Sequence, residues 1–265
     1  MKKSNKSLKK LTYKILFVVS SLTFIVCLLM LIKIFIPQKN DMKQYHNPVA
    51  TTTSASQVQE ATEEETTLRD NPINFKKLQK VNKDVHGWIQ IPDTNIDYVV
   101  VQSSVDKDDL FYLDHNLEGN YEFAGTIFSQ KANSTDFRDH VTVLYGHNML
   151  NGSMFHDLLK FRDSEFFEEH DEMYVYTPGH ILTYKIVSAF TYDDRHILNT
   201  FNFNSKKDRK EYFDTINNPK SMDANVRKNF SAELDSRILT LSTCTDISSQ
   251  RYLVQGVLIN DEPTN

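Results

Sequence analysis

The sequence predicts a mainly β domain, a barrel or sandwich of about eight short strands decorated by helices, preceded by one transmembrane helix. Three observations carry this reading. Runs at 88–91, 96–101, 126–129, 141–145, 173–177, 182–190, 238–242 and 252–259 have the length and the β-branched and aromatic content of strands. Turn residues punctuate them, with Pro92-Asp93-Thr94-Asn95 after the first and Pro178-Gly179 as a hairpin turn between two others. Finally, residues 15–32 carry no charge, and with Phe35 and Ile36 they reach the roughly 20 residues that a bilayer-crossing helix needs. Many short strands with turn signals between them point to a barrel or sandwich.

Taken in order, Lys2, Lys3, Lys6, Lys9, Lys10 and Lys14 make 1–14 a basic cytoplasmic tail. That flank orients 15–36 as an anchor with the rest of the chain outside. A cleaved signal peptide is the competing reading, against which stand the long apolar run and the lack of a nearby small-x-small site. Residues 37–70 are polar and acidic, with Thr51-Thr52-Thr53-Ser54-Ala55-Ser56-Gln57 in their middle. Such a segment cannot bury enough apolar surface to offset its ordering entropy, and it reads as a disordered extracellular spacer. The folded domain then occupies 71–260, followed by a polar tail at 261–265. Asn74 caps a short helix with Phe75, Leu78 and Val81 on one stripe. Ser153 caps a second helix carrying Met154, Phe155, Leu158, Leu159 and Phe161, and Ser205 a third carrying Tyr212, Phe213 and Ile216. These stripes are core by default, and none has the pattern of a cofactor box. The net charge of −5 is spread with mixed sign, so no basic footprint for nucleic acid exists.

The chain has two cysteines, Cys27 and Cys244. Cys27 lies in the apolar run, so a disulfide with Cys244 is implausible, and an unpaired cysteine in an exported domain flags a reactive thiol. Cys244 ends the 238–242 strand where the chain turns polar, a place where the strand fixes the thiol and the loop leaves it approachable. The alternative is a thiol packed as a small hydrophobe. A neutral thiol is a poor nucleophile and needs a nearby base or cation. His147 is placed like the cysteine, following the apolar strand 141–145 and Gly146; read alone it is a surface-loop histidine. Arg251 opens the last strand, and if the flanking strands are neighbours it points back toward the thiol. Its permanently charged guanidinium suits a developing oxyanion, whereas the plainer reading is a surface ion pair. No His-Glu-x-x-His and no paired cysteine spacing suggest a metal, and no cofactor is expected.

With those residues in hand, the chain resembles the sortases, the membrane-anchored cysteine transpeptidases of Gram-positive bacteria. The likeness spans about 75–259. It rests on Thr240-Leu241-Ser242-Thr243-Cys244, on Leu144-Tyr145-Gly146-His147-Asn148, and on the arginine that opens the final strand. It implies a closed sortase-type β-barrel of about eight strands with an N-terminal helix and helical insertions. It also implies Cys244 as nucleophile, His147 as general acid/base, and Arg251 as the group holding substrate and oxyanion. Ser242 and Thr243 would line the substrate groove. Asp246, two past the cysteine, is a candidate orienting group, with turn capping as the other reading.

Class B is favoured by Ser242 before Thr243-Cys244, by the helix ahead of the first strand, and by the helical insertion at 205–230. Phe111-Tyr112-Leu113-Asp114-His115-Asn116 with Gly125-Thr126-Ile127-Phe128 has the same look, while the Asp-Pro-aromatic lid and second apolar tail of class C do not occur. One departure is the short loop between Cys244 and Arg251. The implied reaction is cleavage after threonine in a C-terminal sorting motif of a surface protein. A thioester forms and is then transferred to a peptidoglycan amine. A hydrolytic extracellular thiol peptidase, a class A or class C sortase with a different substrate set, and a binding module without catalysis remain the alternatives.

Overall fold

The structure, a computed structural model, describes residues 2–35, 42–47 and 68–265, in two units divided at residue 40. In the first unit, α1 (Lys2–Phe35) is one helix, and its stretch Thr12–Met30 is long and apolar enough to cross a membrane, with none of it buried in protein.

The second unit is built, among the described residues, on nine strands: β1 (Val85–Gln90), β2 (Asp97–Gln102), β3 (Ile127–Ser129), β4 (Val141–Tyr145), β5 (Glu172–Thr177), β6 (His180–Asp193), β7 (Asn225–Val226), β8 (Ile238–Cys244) and β9 (Gln250–Pro263). Among the described residues, eight of them run β5-β1-β2-β3-β4-β8-β9-β6, and β6 returns to β5, which closes the barrel. Closure pairs the edges of these eight strands with one another, as a flat sheet cannot. The β2–β3 and β4–β8 pairs are parallel, and parallel neighbours cannot be joined by a tight turn. The 103–126 connection therefore travels the length of the barrel, and a much longer excursion separates β4 from β8.

Both faces of the wall are covered. Ile89, Val100, Leu144, Leu239, Leu241 and Val254 belong to the interior cluster. Their outward neighbours Trp88, Val99 and Val101 pack under α2 (Phe75–Val81) through Phe75 and Leu78. Val141, Val143, Ile238 and Leu253 pack under α5 (Lys206–Asn217) through Tyr212, Phe213 and Ile216. Burial on two sides explains why these strands read as continuous apolar runs rather than as alternation. Asn74 caps α2 by accepting from Lys77 N at 2.9 Å, and Ser205 caps α5. Val81, expected on the buried stripe of α2, is exposed.

Several boundaries differ from the sequence reading. Ser153 caps no helix: its hydroxyl donates to Asn151 Oδ1 at 2.7 Å, and Met154 takes a positive φ of 59°, which no helix start tolerates. The apolar stripe after it is instead a 3-10 helix, His156–Arg162, followed by α3 (Ser164–Glu169), whose cap is Asp163. Another short helix, α4 (Ile197–Thr200), and the two-residue β7 had no sequence signal.

Within the expected spacer, Met42–Tyr45 forms a 3-10 turn docked on the folded unit. Tyr45 is buried in the cluster under α2, and Asn47 N donates to Pro72 O at 2.6 Å. A lone tyrosine in a polar window does not shift the average composition, so this docking was invisible. Residues 37–41 and 48–67 of that span lie outside the described residues. The expected tail 261–265 is also structural: β9 runs to Pro263, and Asn265 N donates to Arg69 O at 3.1 Å. The strand continues there only as a ladder to β6, which polar side chains satisfy as well as apolar ones.

His86 sits at the register shift between β1 and β2, buried, with Nε2 3.0 Å from Ser129 Oγ and Nδ1 3.1 Å from the Thr135 carbonyl. Burial pushes its imidazole down from 6.5 to about 4. Between those values the unfolded chain takes up a proton that the folded chain refuses, so stability is lost as pH falls through this window. His86→Gln is expected to make the acid-side fall shallower, by up to about 1.4 kcal/mol per pH unit. Calorimetric unfolding of 41–265 from pH 7 to 4 reads this directly, and an unaltered slope would remove the assignment.

Candidate active site

The site begins with the parallel β4–β8 pair, in which Tyr145 lies opposite Ser242, so both strands end at the same end of the barrel. Two bonds beyond the ladder hold those ends together. Gly146 N donates to Ser242 O at 3.2 Å, and Thr243 Oγ1 donates to Gly146 O at 2.8 Å. The residue after this clasp is His147. Gly146 is required by space: a Cβ there would lie 2.8 Å from Phe155 Cδ2 and run into Ile127 Cδ1.

His147 is half-buried. Its Nε2 donates to the Leu113 carbonyl at 2.9 Å, and its ring stacks on Phe123 with centroids 5.4 Å apart and planes at 16°. Asn148 follows, with Nδ2 donating to the carbonyl of Cys244 at 3.2 Å and Oδ1 2.8 Å from His156 Nδ1. One asparagine thus ties the histidine loop to the backbone of the cysteine itself.

Cys244 is a free, exposed thiol at the last position of β8. Along β8, Leu239 and Leu241 face the interior and Ile238 faces out. Even-numbered positions, Cys244 included, therefore lie on the outer side. Antiparallel pairing of β8 with β9 puts Arg251 directly opposite Cys244, and directly opposed residues project to the same face. The Arg251 Nη1 donates to Ser248 O and Gln250 O, each at 2.9 Å, which leaves Nε and Nη2 with no partner among the described residues. A guanidinium held by one corner with two donors free is suited to an incoming anion.

The remaining expected site residues are placed differently. Ser242 and Thr243 are buried, and the Thr243 hydroxyl is engaged by Gly146, so any support they give a substrate comes from beneath the surface. Asp246 is exposed and makes no side-chain hydrogen bond or ion pair among the described residues; Thr245 organises the turn, its Oγ1 accepting from Ile247 N at 3.1 Å. Sequence reasoning missed Asn148, Phe123 and the Leu113 carbonyl. Asn148 stood next to the histidine in the quoted motif, and a polar residue following a strand-end histidine was the available signal. A backbone carbonyl leaves none.

A model of the sortase domain matches residues 89–259, a stretch that contains every residue of this site. Sortase B of Listeria monocytogenes is 36% identical over 191 residues, covering 70% of this chain and 74% of that protein. Sortase B of Staphylococcus aureus is 29% identical over 178 residues, 66% of this chain and 69% of its own. Among solved structures, sortase B of Clostridium perfringens superposes with a TM-score of 0.63 at 32% identity, over 70% of this chain and 100% of that one.

The packing around Gly146 generates a prediction. Gly146→Ala forces Phe155 and Ile127 apart and is expected to destabilise the folded unit by about 1–3 kcal/mol. Urea unfolding measures this, and unchanged stability would show that the clasp has slack.

Proposed function

The chain belongs to the sortase family of cysteine transpeptidases, in class B, and from that premise we propose that Cys244, His147 and Arg251 carry a two-step acyl transfer. The observation that supports this most is the Cys244–Arg251 cross-strand pair lying beside the β4–β8 clasp that carries His147. In the first step the Cys244 thiol yields its proton to His147 and its sulfur attacks the carbonyl carbon of the threonine in a C-terminal sorting motif. The C–N bond after threonine breaks, a thioester forms, and His147 gives a proton to the leaving amine. In the second step His147 takes a proton from an acceptor amine of peptidoglycan, whose nitrogen displaces sulfur and forms a new amide. The free donors of Arg251 stabilise the oxyanion in both tetrahedral intermediates.

Membrane anchoring completes the reading. Sortases act at membranes or cell surfaces, and α1 with its lysine flank fits a single-pass anchor, N-terminus inside and barrel outside. The surface proteins that carry the sorting motif and the wall amine that accepts them would then meet at this face.

A related sortase B has been crystallised with triglycine, which makes that peptide a natural amine probe. Residues 41–265 incubated with a panel of threonine-containing sorting peptides are expected to give the threonyl–triglycine amide, read by mass. Cys244→Ala should give neither cleavage nor amide while remaining folded. Arg251→Ala should lower kcat by roughly 10²–10³-fold, the cost of losing an oxyanion donor. Hydrolysis without amide at saturating triglycine would favour the thiol peptidase reading, and wild-type turnover in Arg251→Ala would take its role away.

A further inference from the structure

A histidine that passes protons in both directions needs its tautomer fixed, and the group that does so here is a carbonyl. An amide oxygen can only accept, so the bond from Nε2 to Leu113 O requires the neutral ring to carry its hydrogen on Nε2. Nδ1 is then the nitrogen left to exchange protons. Phe123 fixes the ring plane by stacking. The obvious alternative, a carboxylate near the cysteine, is not in use: Asp246 is exposed and has no bonded partner among the described residues.

The Leu113 carbonyl is itself gripped. Leu113 ends the 3-10 turn Phe111–Leu113, and the carbonyl of its neighbour Tyr112 accepts from Thr126 N at 2.9 Å. The Tyr112 ring is buried, and its hydroxyl donates to Asp84 Oδ2 at 2.6 Å while accepting from Asn82 Nδ2 at 2.7 Å. Lys107 Nζ reaches the same Asp84 oxygen at 2.7 Å. Asn82 is the C-terminal cap of α2, so the brace runs from that helix across the start of β1 to the histidine. On the other side Gly125 holds a φ of +61°, and a Cβ there would be 2.5 Å from Tyr112 O and would strike Leu113 O. This glycine is required twice, by conformation and by space.

We propose that the 103–126 connection is the orienting partner of His147, with the Leu113 carbonyl setting its tautomer and Tyr112 and Gly125 as positioning residues. This rests on His147 as the proton-transfer group. Because the Tyr112 ring is buried and its hydroxyl is bonded to Asn82 and Asp84, its loss acts on the orientation of His147 and slows turnover without weakening binding.

The test uses the full chain in detergent micelles, with triglycine and the sorting peptide cleaved fastest in the panel. Tyr112→Phe keeps the ring and removes its hydroxyl bonds; kcat is expected to fall roughly ten- to hundred-fold with KM unchanged. Gly125→Ala should do the same. In the wild type, 15N-histidine spectra are expected to show His147 as the Nε2–H form, and this readout does not depend on any variant folding. Wild-type kcat in folded Tyr112→Phe and Gly125→Ala, or a wild-type His147 protonated on Nδ1 alone when neutral, overturns the proposal. His147→Ala separates the levels. If it is inactive while Tyr112→Phe is normal, only the positioning claim fails; if it is active, the assignment beneath it fails and the claim falls with it.

Discussion

The hydrogen bond from Thr243 Oγ1 to Gly146 O ties together two strand ends that are 97 residues apart in sequence, and the geometry of the reactive end depends on it. Parallel pairing of β4 and β8 makes both strands finish at the same end of the barrel. An antiparallel arrangement would have sent His147 and Cys244 to opposite ends. The cost is the long excursion between the strands, where α3, α4 and α5 are found. That excursion is used: Tyr212 and Ile216 of α5 cover the outer face of β4 and β8, and so stiffen the two strands that present the site.

The division between inner and outer faces gives the site its second constraint. Interior positions of β8 and β9 are filled by large apolar side chains that lock the register of the pair. A one-residue slip would bury Cys244 and part it from Arg251. The fixed register instead puts thiol and guanidinium opposite one another on the outer side, where the polar turn leaves both open to solvent. Packing and chemistry are therefore coupled through strand parity alone. The layer under α2 adds a further tie, because Tyr112 belongs to that cluster and directly precedes Leu113, whose carbonyl holds His147.

Much of this was legible in the sequence, and what was not has physical reasons. Strand-end placement singled out Cys244, His147 and Arg251 because apolar β-branched runs stop abruptly before polar residues, a local pattern. Eight strands and the caps at Asn74 and Ser205 were readable for the same reason. The Ser153 helix was misread because its stripe is real but Met154 adopts a left-handed conformation that no composition signals. Docking of Tyr45 and pairing of Asp261 in β9 were hidden because single side chains and backbone ladders carry the energy there, not hydrophobic content. The partner of His147 is a main-chain oxygen, which any residue supplies; only Gly125 marks the place, and its meaning appears once the backbone path is known.

The proposed reaction stands on acylation of the thiol at the outer end of β8. Intact-mass measurement of residues 41–265, quenched in acid after mixing with a cleavable sorting peptide in the absence of any amine, tests it most directly. An adduct equal to the peptide up to its threonine is expected, mapped by digestion to Cys244 and discharged when triglycine is added. Peptide cleavage with no adduct on Cys244, or an adduct elsewhere that triglycine discharges, would contradict the proposed reaction.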